Sequence, residues 1–488
     1  MTADLPSHRP PRLSRRGLLG ASAALGAAAA FGPSSPAAAA HPARAARPPR
    51  TPRAAAEVVP VDWAGLGDYA ATDPAGGRTV TVLAGSARYL IGPWYAGTYR
   101  TYLPDGYIDL RGTDERAIRL PAMAAVAATT ALTTGVYDPR DLSAANATIR
   151  TRNLIRTLAA RHLANNEDEK TRWGGGWQTA LWAYYTALAG WLFWDELDAT
   201  ERGHVVAMTV WEADRLTTGN DLYLVGTSGH QLYERRRDGT VVTPGDSKAE
   251  ENSWSAAVLS LAEVMLPDHP HAAAWQRRNI ELLVSAAACP ADLTSNETVN
   301  GIELSRWLRG TNIADDGTLD NHDRLHPLYM VSFDQSLYQG FVYGLADRGA
   351  PLAALHHIPR VYSALVDLPF PAEDGSTTTI YQPGSGEIHY PEGNDWGTHF
   401  PFYFGNFDLL VSLTGQDTGI APPAAEWERL HNEEQLRLMD RFTDGRTYGE
   451  SGENTYYGRE HRIGAMAGQA FLTLYVARND RENRLRFV

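Results

Sequence analysis

Residues 173–194, WGGGWQTALWAYYTALAGWLFW, give the clearest indication of the fold. An opening rich in glycine and tryptophan runs into a stretch that is apolar on nearly every side of a helix. A surface helix carries an apolar stripe opposed by charge, whereas a helix that is apolar all round must be enclosed by other elements. The segment therefore predicts a buried helix that is surrounded by other helices.

Similar segments recur along the chain. They begin at Gly112, Gly245, His326, Pro391 and Tyr456, so that successive starts lie some 60 to 80 residues apart. This interval is longer than the repeat of an ordinary helical solenoid. The segments at 145–163, 198–216 and 424–442 are different, because each has an apolar stripe opposed by charged residues. The alternation predicts an inner ring of buried helices and an outer ring of half-exposed ones.

In this respect the chain resembles the (α/α) toroids of carbohydrate-active enzymes. The resemblance covers roughly residues 60–488 and rests on the alternation of helices and on the character of the loops before the buried ones. It implies an all-α fold, an (α/α)5-6 toroid with an incomplete or complete double ring of helices, and an active-site cleft at one end. We expect only minor β structure near the N-terminus of the domain, at TVTVLAG, residues 79–85.

The N-terminus predicts export. LSRRGLLG contains Arg15 and Arg16 and precedes an apolar run from Leu18 to Phe31, a pattern typical of twin-arginine signals. We expect a signal peptide at 1–40, a disordered leader rich in Pro, Arg and Ala at 41–58, and a single domain at 59–488. The apolar run is too short to favour a membrane span, so we expect a secreted protein without stable membrane association.

Charge and cysteine content exclude other classes. The net charge is −13, and removing the +7 carried by residues 1–53 leaves −20 on residues 54–488. So acidic a body argues against nucleic acid as a partner. Cys289 is the only cysteine, so no disulfide and no cysteine metal site is expected, and we interpret it as a small buried hydrophobic residue.

The stretch TLDNHDRLHPLYM, residues 318–330, carries the most chemistry. Asn321, His322, His326 and Tyr329 supply an amide, two imidazoles and a phenol, which together can bind a carboxyl group and move a proton. A polar loop that ends at a helix start with Pro327 explains the same residues structurally. His322 and His326 with Asp320 would also suit a divalent metal, but Pro327 argues against a shared helix face, and we expect neither metal nor cofactor.

Other candidate residues lie at the openings of the buried segments, where they would face a cleft and bind sugar. They are Trp173, Trp177 and Gln178; Glu251 and Asn252; Tyr390, Glu392, Asn394, Asp395 and Trp396; and Tyr456 and Arg459. Structural explanations stand beside this one. Both tryptophans also suit a core, a glutamate in a first turn suits the helix dipole, and Asp395 suits an N-cap.

Three functions follow, each with a polysaccharide or oligosaccharide as partner. The adjacent Asn321 and His322 resemble the pair of toroidal alginate lyases, which implies that Asn321 neutralises a uronate carboxylate, His322 is the base and Tyr329 the acid of a β-elimination. Those enzymes draw the tyrosine from a later helix and add an arginine, so Tyr390, Tyr456 and Arg459 are rivals. A glycoside hydrolase would instead pair carboxylates among Glu251, Glu392 and Asp395. A non-catalytic glycan-binding protein is the third possibility.

Overall fold

The computed structural model describes residues 57–69, 71–217, 232–372, 374–396, 399–449, 453, 458–479 and 481–488. The predicted signal peptide, nearly all of the predicted leader and the candidate Tyr456 lie outside this part of the chain. Residues 56–488 form one unit.

Helices make up most of that unit, which confirms the all-α prediction. The α-helices of the described residues are α1 (Trp63–Leu66), α2 (Pro74–Tyr89), α3 (Tyr95–Thr98), α4 (Glu115–Thr133), α5 (Ala144–Ala160), α6 (Thr179–Leu192), α7 (Ala199–Thr217), α8 (Ala249–Met265), α9 (Ala272–Ala286), α10 (Leu304–Trp307), α11 (Pro327–Met330), α12 (Asp334–Leu337), α13 (Gln339–Leu345), α14 (Ile358–Val366), α15 (Pro401–Thr414), α16 (Ala424–Met439) and α17 (Arg459–Arg478). Among these residues, no helix is both long and apolar enough to cross a lipid bilayer.

Buried and half-exposed helices alternate as the sequence predicts. Every residue of α6 is buried, and so is nearly every residue of α8, α15 and α17. The amphipathic segments at 145–163, 198–216 and 424–442 form α5, α7 and α16, which bury one face only. Contacts between buried helices run from α4 to α6, from α6 to α8, from α8 to α12 and α13, from α12 to α15, from α15 to α17, and from α17 back to α4.

The segment beginning at His326 is the exception among the buried helices. It is broken into α11, a 3-10 turn at Val331–Phe333, α12 and α13. Near its start, the Ser332 hydroxyl donates to the Tyr329 carbonyl oxygen over 2.6 Å and so competes for an acceptor of the helix backbone.

The predicted strand at TVTVLAG is wrong, because these residues lie in α2. Asp73 caps the helix through Gly76 N–H, and Pro74 follows at its first position. Val82 and Leu83 are fully buried on this helix, which packs against α17. Tertiary burial of one helical face therefore overrides the local β propensity.

The β structure lies further along the chain than predicted. Within the residues that the structure describes, four antiparallel two-stranded sheets join β1 (Arg235–Arg236) to β4 (Gly310–Thr311), β2 (Thr298–Val299) to β3 (Ile302–Glu303), β5 (Asp320–Asn321) to β6 (Arg324–Leu325), and β7 (Phe370–Pro371) to β8 (Thr377–Thr378). Each sheet is made of two-residue strands in loops between helices. The β5–β6 hairpin is the one that carries candidate site residues.

Candidate functional site

The β5–β6 hairpin presents His322 at its tip. His322 and Asp323 form the two-residue turn with φ of 53° and 60°, the positive values that a type I′ turn requires at both positions. The hairpin is docked on the segment before α8, where Asp323 N–H donates to the Gly245 carbonyl oxygen and Ser247 N–H to that of Asp320, both over 2.9 Å. A Cβ on Gly245 would lie 2.6 Å from the Asp323 Cα, so this close approach requires glycine.

Tyr329, His322 and Asp395 form a line of hydrogen bonds. The Tyr329 hydroxyl lies 3.0 Å from His322 Nε2, and His322 Nδ1 lies 2.6 Å from Asp395 Oδ2. When Nδ1–H donates to the carboxylate, Nε2 is left as the acceptor of the phenol proton. We call Tyr329, His322 and Asp395 the relay. The His322 side chain is 44% exposed, so a ligand can reach the relay. The same arrangement activates side-chain nucleophiles in enzymes. There a base takes the proton of an oxygen, and a third group orients the base.

His326 binds the other oxygen of the same carboxylate. Its Nε2 lies 2.9 Å from Asp395 Oδ1, and its side chain is fully buried. Burial lowers the pKa of His326 to about 4, so the imidazole is neutral and donates to Asp395. Although partial burial acts in the opposite direction, the hydrogen bonds from His326 and His322 hold the pKa of Asp395 below its usual value. Asp395 is therefore an anion clamped between two imidazoles.

Trp396 forms one wall of this cluster. Its ring meets the Tyr329 ring edge-on at 5.9 Å and lies 6.1 Å from the His326 ring. Arg462 belongs to α17, and its guanidinium lies 5.7 Å from the centre of the Trp396 ring. Arg459 donates from Nη2 to the Trp396 carbonyl oxygen and is fully buried. Arg459 thus positions the loop that carries Asp395, and its burial does not suit it to bind substrate.

The buried amides bind the backbone. Asn321 is 4% exposed and donates from Nδ2 to the Ser247 carbonyl oxygen over 3.4 Å. Asn252 is fully buried and donates to the Leu232 carbonyl oxygen over 2.9 Å. The role of Asn321 in neutralising a substrate carboxylate therefore finds no support in its position, and Asn252 is a structural residue.

The carboxylates proposed for a hydrolase are each engaged by other groups of the protein. Glu392 accepts from Leu325 N–H over 2.8 Å and so fastens the hairpin to the 391–396 loop. Glu251 is buried beside Lys248 Nζ at 3.1 Å, and burial raises its pKa to about 7 although Lys248 opposes this. Asn394, in the same loop as Glu392, accepts from Trp396 N–H over 3.1 Å and shapes the turn around Asp395.

The aromatic candidates differ in exposure. Trp173 is buried and donates from its ring nitrogen to the Leu158 carbonyl oxygen over 2.9 Å, so it belongs to the core. Trp177 is 51% exposed, meets Trp254 edge-on at 5.6 Å and lines a cavity of about 350 Å³ together with Gln178. Trp177 and Gln178 therefore fit a sugar subsite.

Tyr390 lies away from the relay residues. It lines a cleft of about 610 Å³ together with His399, Phe400 and Leu430, and neither His322 nor Asp395 lines that cleft. Burial raises the pKa of its phenol well above the usual range. Of the tyrosines proposed from sequence within the described residues, Tyr329 is the one that contacts His322.

The cluster offers a partial fit to a metal ion. Ligand atoms of His322, His326 and Asp395 all lie within 4.8 Å of one another, so Asp395 rather than Asp320 is the carboxylate near both histidines. A histidine that binds a metal ordinarily donates its second ring nitrogen to another group. His326 Nδ1 is buried without a hydrogen-bond partner among the described residues, and His322 Nε2 faces Tyr329. The donor set suits a proton relay better.

Two arginines near the site were not proposed from the sequence. Arg324 donates from Nε to the His322 carbonyl oxygen over 3.3 Å and is partly exposed. Arg462 lies 3.3 Å from Glu250 Oε1 and also contacts the Tyr403 hydroxyl. Arg324 stands between His322 and His326 in the sequence, and Arg462 lies three residues after Arg459, so both could have been found from spacing.

Comparisons of the chain with protein-family models, with curated proteins and with solved structures returned no match.

Proposed function

We propose that this protein is a secreted carbohydrate-active enzyme that cleaves a uronate-containing polysaccharide by β-elimination. The observation that carries the proposal is the line of hydrogen bonds from Tyr329 through His322 to Asp395. Such a line provides a path by which a proton can leave a phenol oxygen and return to it. β-Elimination needs this twice, because one proton leaves C5 of the uronate and one is delivered to the leaving oxygen.

In the proposed reaction, the Tyr329 hydroxyl proton passes to His322 Nε2 while the Tyr329 oxygen takes the C5 proton. The C5–H electron pair forms the C4–C5 double bond, and the C4–O bond to the leaving sugar breaks. The phenol then protonates the leaving oxygen, and His322 returns its proton to Tyr329. Both ring nitrogens of His322 are engaged by Asp395 and Tyr329. We therefore assign the base as well as the acid to Tyr329, with His322 as its proton partner.

Arg324 is the proposed partner of the uronate carboxylate, in place of Asn321. A guanidinium can bind a carboxylate through two parallel hydrogen bonds, and such a contact would stabilise the charge that develops when the C5 proton leaves. Arg324 is bonded to the backbone of His322 and so shares the hairpin with the relay. It also supplies a cation to a domain that is otherwise strongly acidic.

The order of helix contacts supports an (α/α)6 toroid as the fold of this enzyme. The buried helices contact one another in sequence and close from α17 onto α4, while α5, α7, α9 and α16 each pack on the buried helix before them. The broken segment α11 to α13 takes the place of the fourth buried helix. The relay residues and Trp177 lie in the loops before buried helices or at the first turn of one. In a toroid, the active-site cleft is formed by such loops.

A glycoside hydrolase has one observation in its favour. The pKa of Glu251 is raised to about 7, a value that suits a general acid. Glu251 is buried against Lys248, however, and both oxygens of Asp395 are bound by imidazoles. The lyase therefore uses the residues in the arrangement that they have, whereas the hydrolase would require them to rearrange.

The test is a panel of polyuronates and neutral glycans, assayed for new far-ultraviolet absorbance and for reducing ends. We expect both signals from at least one polyuronate, and Tyr329→Phe should lower turnover at least about a hundredfold, the scale for loss of a general base or acid. Tyr102→Phe is the matched control, because Tyr102 is 49% exposed and its hydroxyl contacts Tyr95 and Asn153. It should keep the wild-type rate.

Each other outcome identifies a different function. Reducing ends without new absorbance would replace the lyase by the hydrolase. Binding without either product would indicate a glycan-binding protein. Full activity in Tyr329→Phe would remove the proposed chemistry even if a polyuronate is the substrate.

A further inference from the structure

A second cluster of polar side chains lies around Asp292. His357 Nε2 lies 2.9 Å and 3.0 Å from the two Asp292 oxygens and 3.5 Å from Cys289 Sγ. His356 Nε2 lies 3.4 Å from Asp292 Oδ2. Candidate ligand atoms of Cys289, Asp292 and His357 all fall within 4.8 Å of one another. The cluster joins the 3-10 turn Pro290–Thr294, which follows α9, to the N-terminus of α14.

The spacing within the group of three approaches that of a tetrahedral zinc site. With Zn–S of about 2.3 Å and Zn–N and Zn–O of about 2.1 Å, ligand atoms at a tetrahedral angle are separated by about 3.6 Å for S and N and about 3.4 Å for N and O. The Cys289–His357 separation is 3.5 Å. His356 stands outside the group of three, and its contact of 3.4 Å with Asp292 makes it a partner of that carboxylate. The shorter His357–Asp292 contact needs to open by a few tenths of an ångström.

The cluster is largely closed to solvent. Cys289 is fully buried, the side chains of Asp292 and His356 are about 5% exposed, and that of His357 is 17% exposed. Thiolate, imidazole and carboxylate are the ligands that zinc prefers. Three such side chains therefore meet at a place without easy access for substrate, and His356 holds the carboxylate as the outer partners of metal ligands do.

The backbone holds His357 in an unusual conformation. Its φ is 55°, in the left-handed region that a residue with a side chain rarely adopts. This conformation directs the ring to Asp292 and Cys289 immediately before α14 begins. Strain of this kind persists where the surrounding structure requires it, and ligation of a metal by the ring is such a requirement.

Thiol chemistry of another kind does not suit the place. Cys289 is fully buried, so its thiol has no access to a substrate in solution. Binding of a divalent cation is compatible with this burial, because the cation deprotonates a coordinating thiol.

We propose that Cys289, Asp292 and His357 bind one zinc ion that serves a structural role, with His356 orienting the Asp292 carboxylate. The ion would tie the end of α9 to the start of α14. It would also steady the chain from 290 to 318, which leads into the β5–β6 hairpin; Asp315, in this stretch, already accepts from Ala291 N–H over 2.9 Å. The sequence expectation of no cysteine metal site considered a site built from cysteines alone.

The test is the metal content of the folded, purified protein after zinc loading and gel filtration. We expect one zinc per chain, and Cys289→Ser and His357→Gln should each lower the affinity by about tenfold or more, the loss that even an outer-shell change produces. Cobalt substitution should give visible d–d bands and a thiolate charge-transfer band that is absent from Cys289→Ser. Because these measurements need no substrate, they are independent of the proposed lyase activity.

His322→Ala is the matched control. It disrupts the second group of candidate metal ligands among the described residues, which is His322, His326 and Asp395, and it leaves Cys289 intact. It should keep its zinc and its cobalt spectrum. A folded wild-type protein that binds neither metal at micromolar concentration would overturn the proposal. So would zinc that is lost in His322→Ala but retained in His357→Gln.

Discussion

His322 Nδ1 and Asp395 Oδ2 lie 2.6 Å apart although 73 residues separate them in the chain. The other oxygen of the same carboxylate lies 2.9 Å from His326 Nε2. One anion therefore sets the orientation of two imidazoles, and it decides which nitrogen of each carries the proton.

Replacing Asp395 by Asn should lower turnover at least about a hundredfold. The amide has one acceptor oxygen where the carboxylate has two, so one imidazole must reorient or lose its partner. The rate of unsaturated product measures the effect, and circular dichroism checks that the helices remain. Asp195→Asn is the control, because that side chain is 96% exposed. A wild-type rate in Asp395→Asn would exclude the relay.

Stability should fall in acid because of His326. Its pKa is about 4 in the folded protein and about 6.5 when unfolded, so between these values the unfolded chain binds the extra proton. The stabilisation is complete above about pH 6.5 and is lost as the pH falls towards 4, to a total on the order of 3 kcal/mol. The lowered pKa of Asp395 acts in the same direction at still lower pH.

Urea unfolding at pH 7 and at pH 4 measures this loss. His326→Gln should show a smaller decrease in the free energy of unfolding than the wild type. A remaining decrease is expected from His461, whose pKa burial lowers to about 3. An equal decrease in both proteins would show that His326 titrates as it does in the unfolded chain.

Gly245→Ala should disturb the site without touching a relay residue. The added Cβ would lie 2.6 Å from the Asp323 Cα and would sit at a φ of 64°, so the hairpin that carries His322 must move. We expect a destabilisation of about 1 to 3 kcal/mol and a clear loss of turnover. Gly239→Ala is the control, because its φ is 83° but no atom lies within 4 Å of the added Cβ. Gly239→Ala should cost some stability and no activity.

The closure of the buried helices depends on a small residue in α17. A Cβ on Gly464 would lie 2.6 Å from Leu90 Cδ1 and 3.1 Å from the Ala127 Cβ of α4. Gly464→Val should therefore destabilise the protein by about 1 to 3 kcal/mol through overpacking. Gly203→Ala in α7, where nothing lies within 4 Å, should stabilise it by about 0.5 to 1 kcal/mol. Thermal unfolding compares the two, and equal effects would contradict a tight contact between α17 and its neighbours.

Export should require both arginines of the signal. Replacing Arg15 and Arg16 by Lys should retain the protein in the cytoplasm, because the twin-arginine pathway reads that pair. Immunoblots of cell and medium fractions measure the distribution. Unchanged secretion would refute the assignment of the signal.

The buried helices could be predicted because a helix that is apolar on nearly every side must be enclosed by other elements. Every residue of α6 is buried, and so is nearly every residue of α8. Residues 79–85 were predicted as a strand because Thr and Val favour strands locally. The buried residues of α2 include Thr79, Val82, Leu83 and Ser86, which follow the spacing of one helix face. A stretch of seven residues is too short to show that period, which becomes clear over the whole helix.

The individual residues of the site could be predicted from the sequence, but not which of them contact one another. His322, Tyr329 and Asp395 were each identified from sequence, yet the partnership of Asp395 with both histidines depends on the closure of two loops. Asn321 was selected for its place beside His322. It precedes the turn in β5, where its side chain is buried and bonded to Ser247, while His322 projects from the turn itself.

The distance along the chain between His322 and Asp395 also fixes when the proposed activity can first appear. A nascent chain that ends before residue 395 holds His322 and Tyr329 but lacks the anion that orients them. The proposed chemistry therefore begins only after the 391–396 loop has reached the hairpin, which is a late event for a contact of such long sequence separation. After dilution from denaturant, the time at which turnover recovers would thus measure when the 391–396 loop reaches the hairpin. Turnover should recover later than the helical signal in circular dichroism.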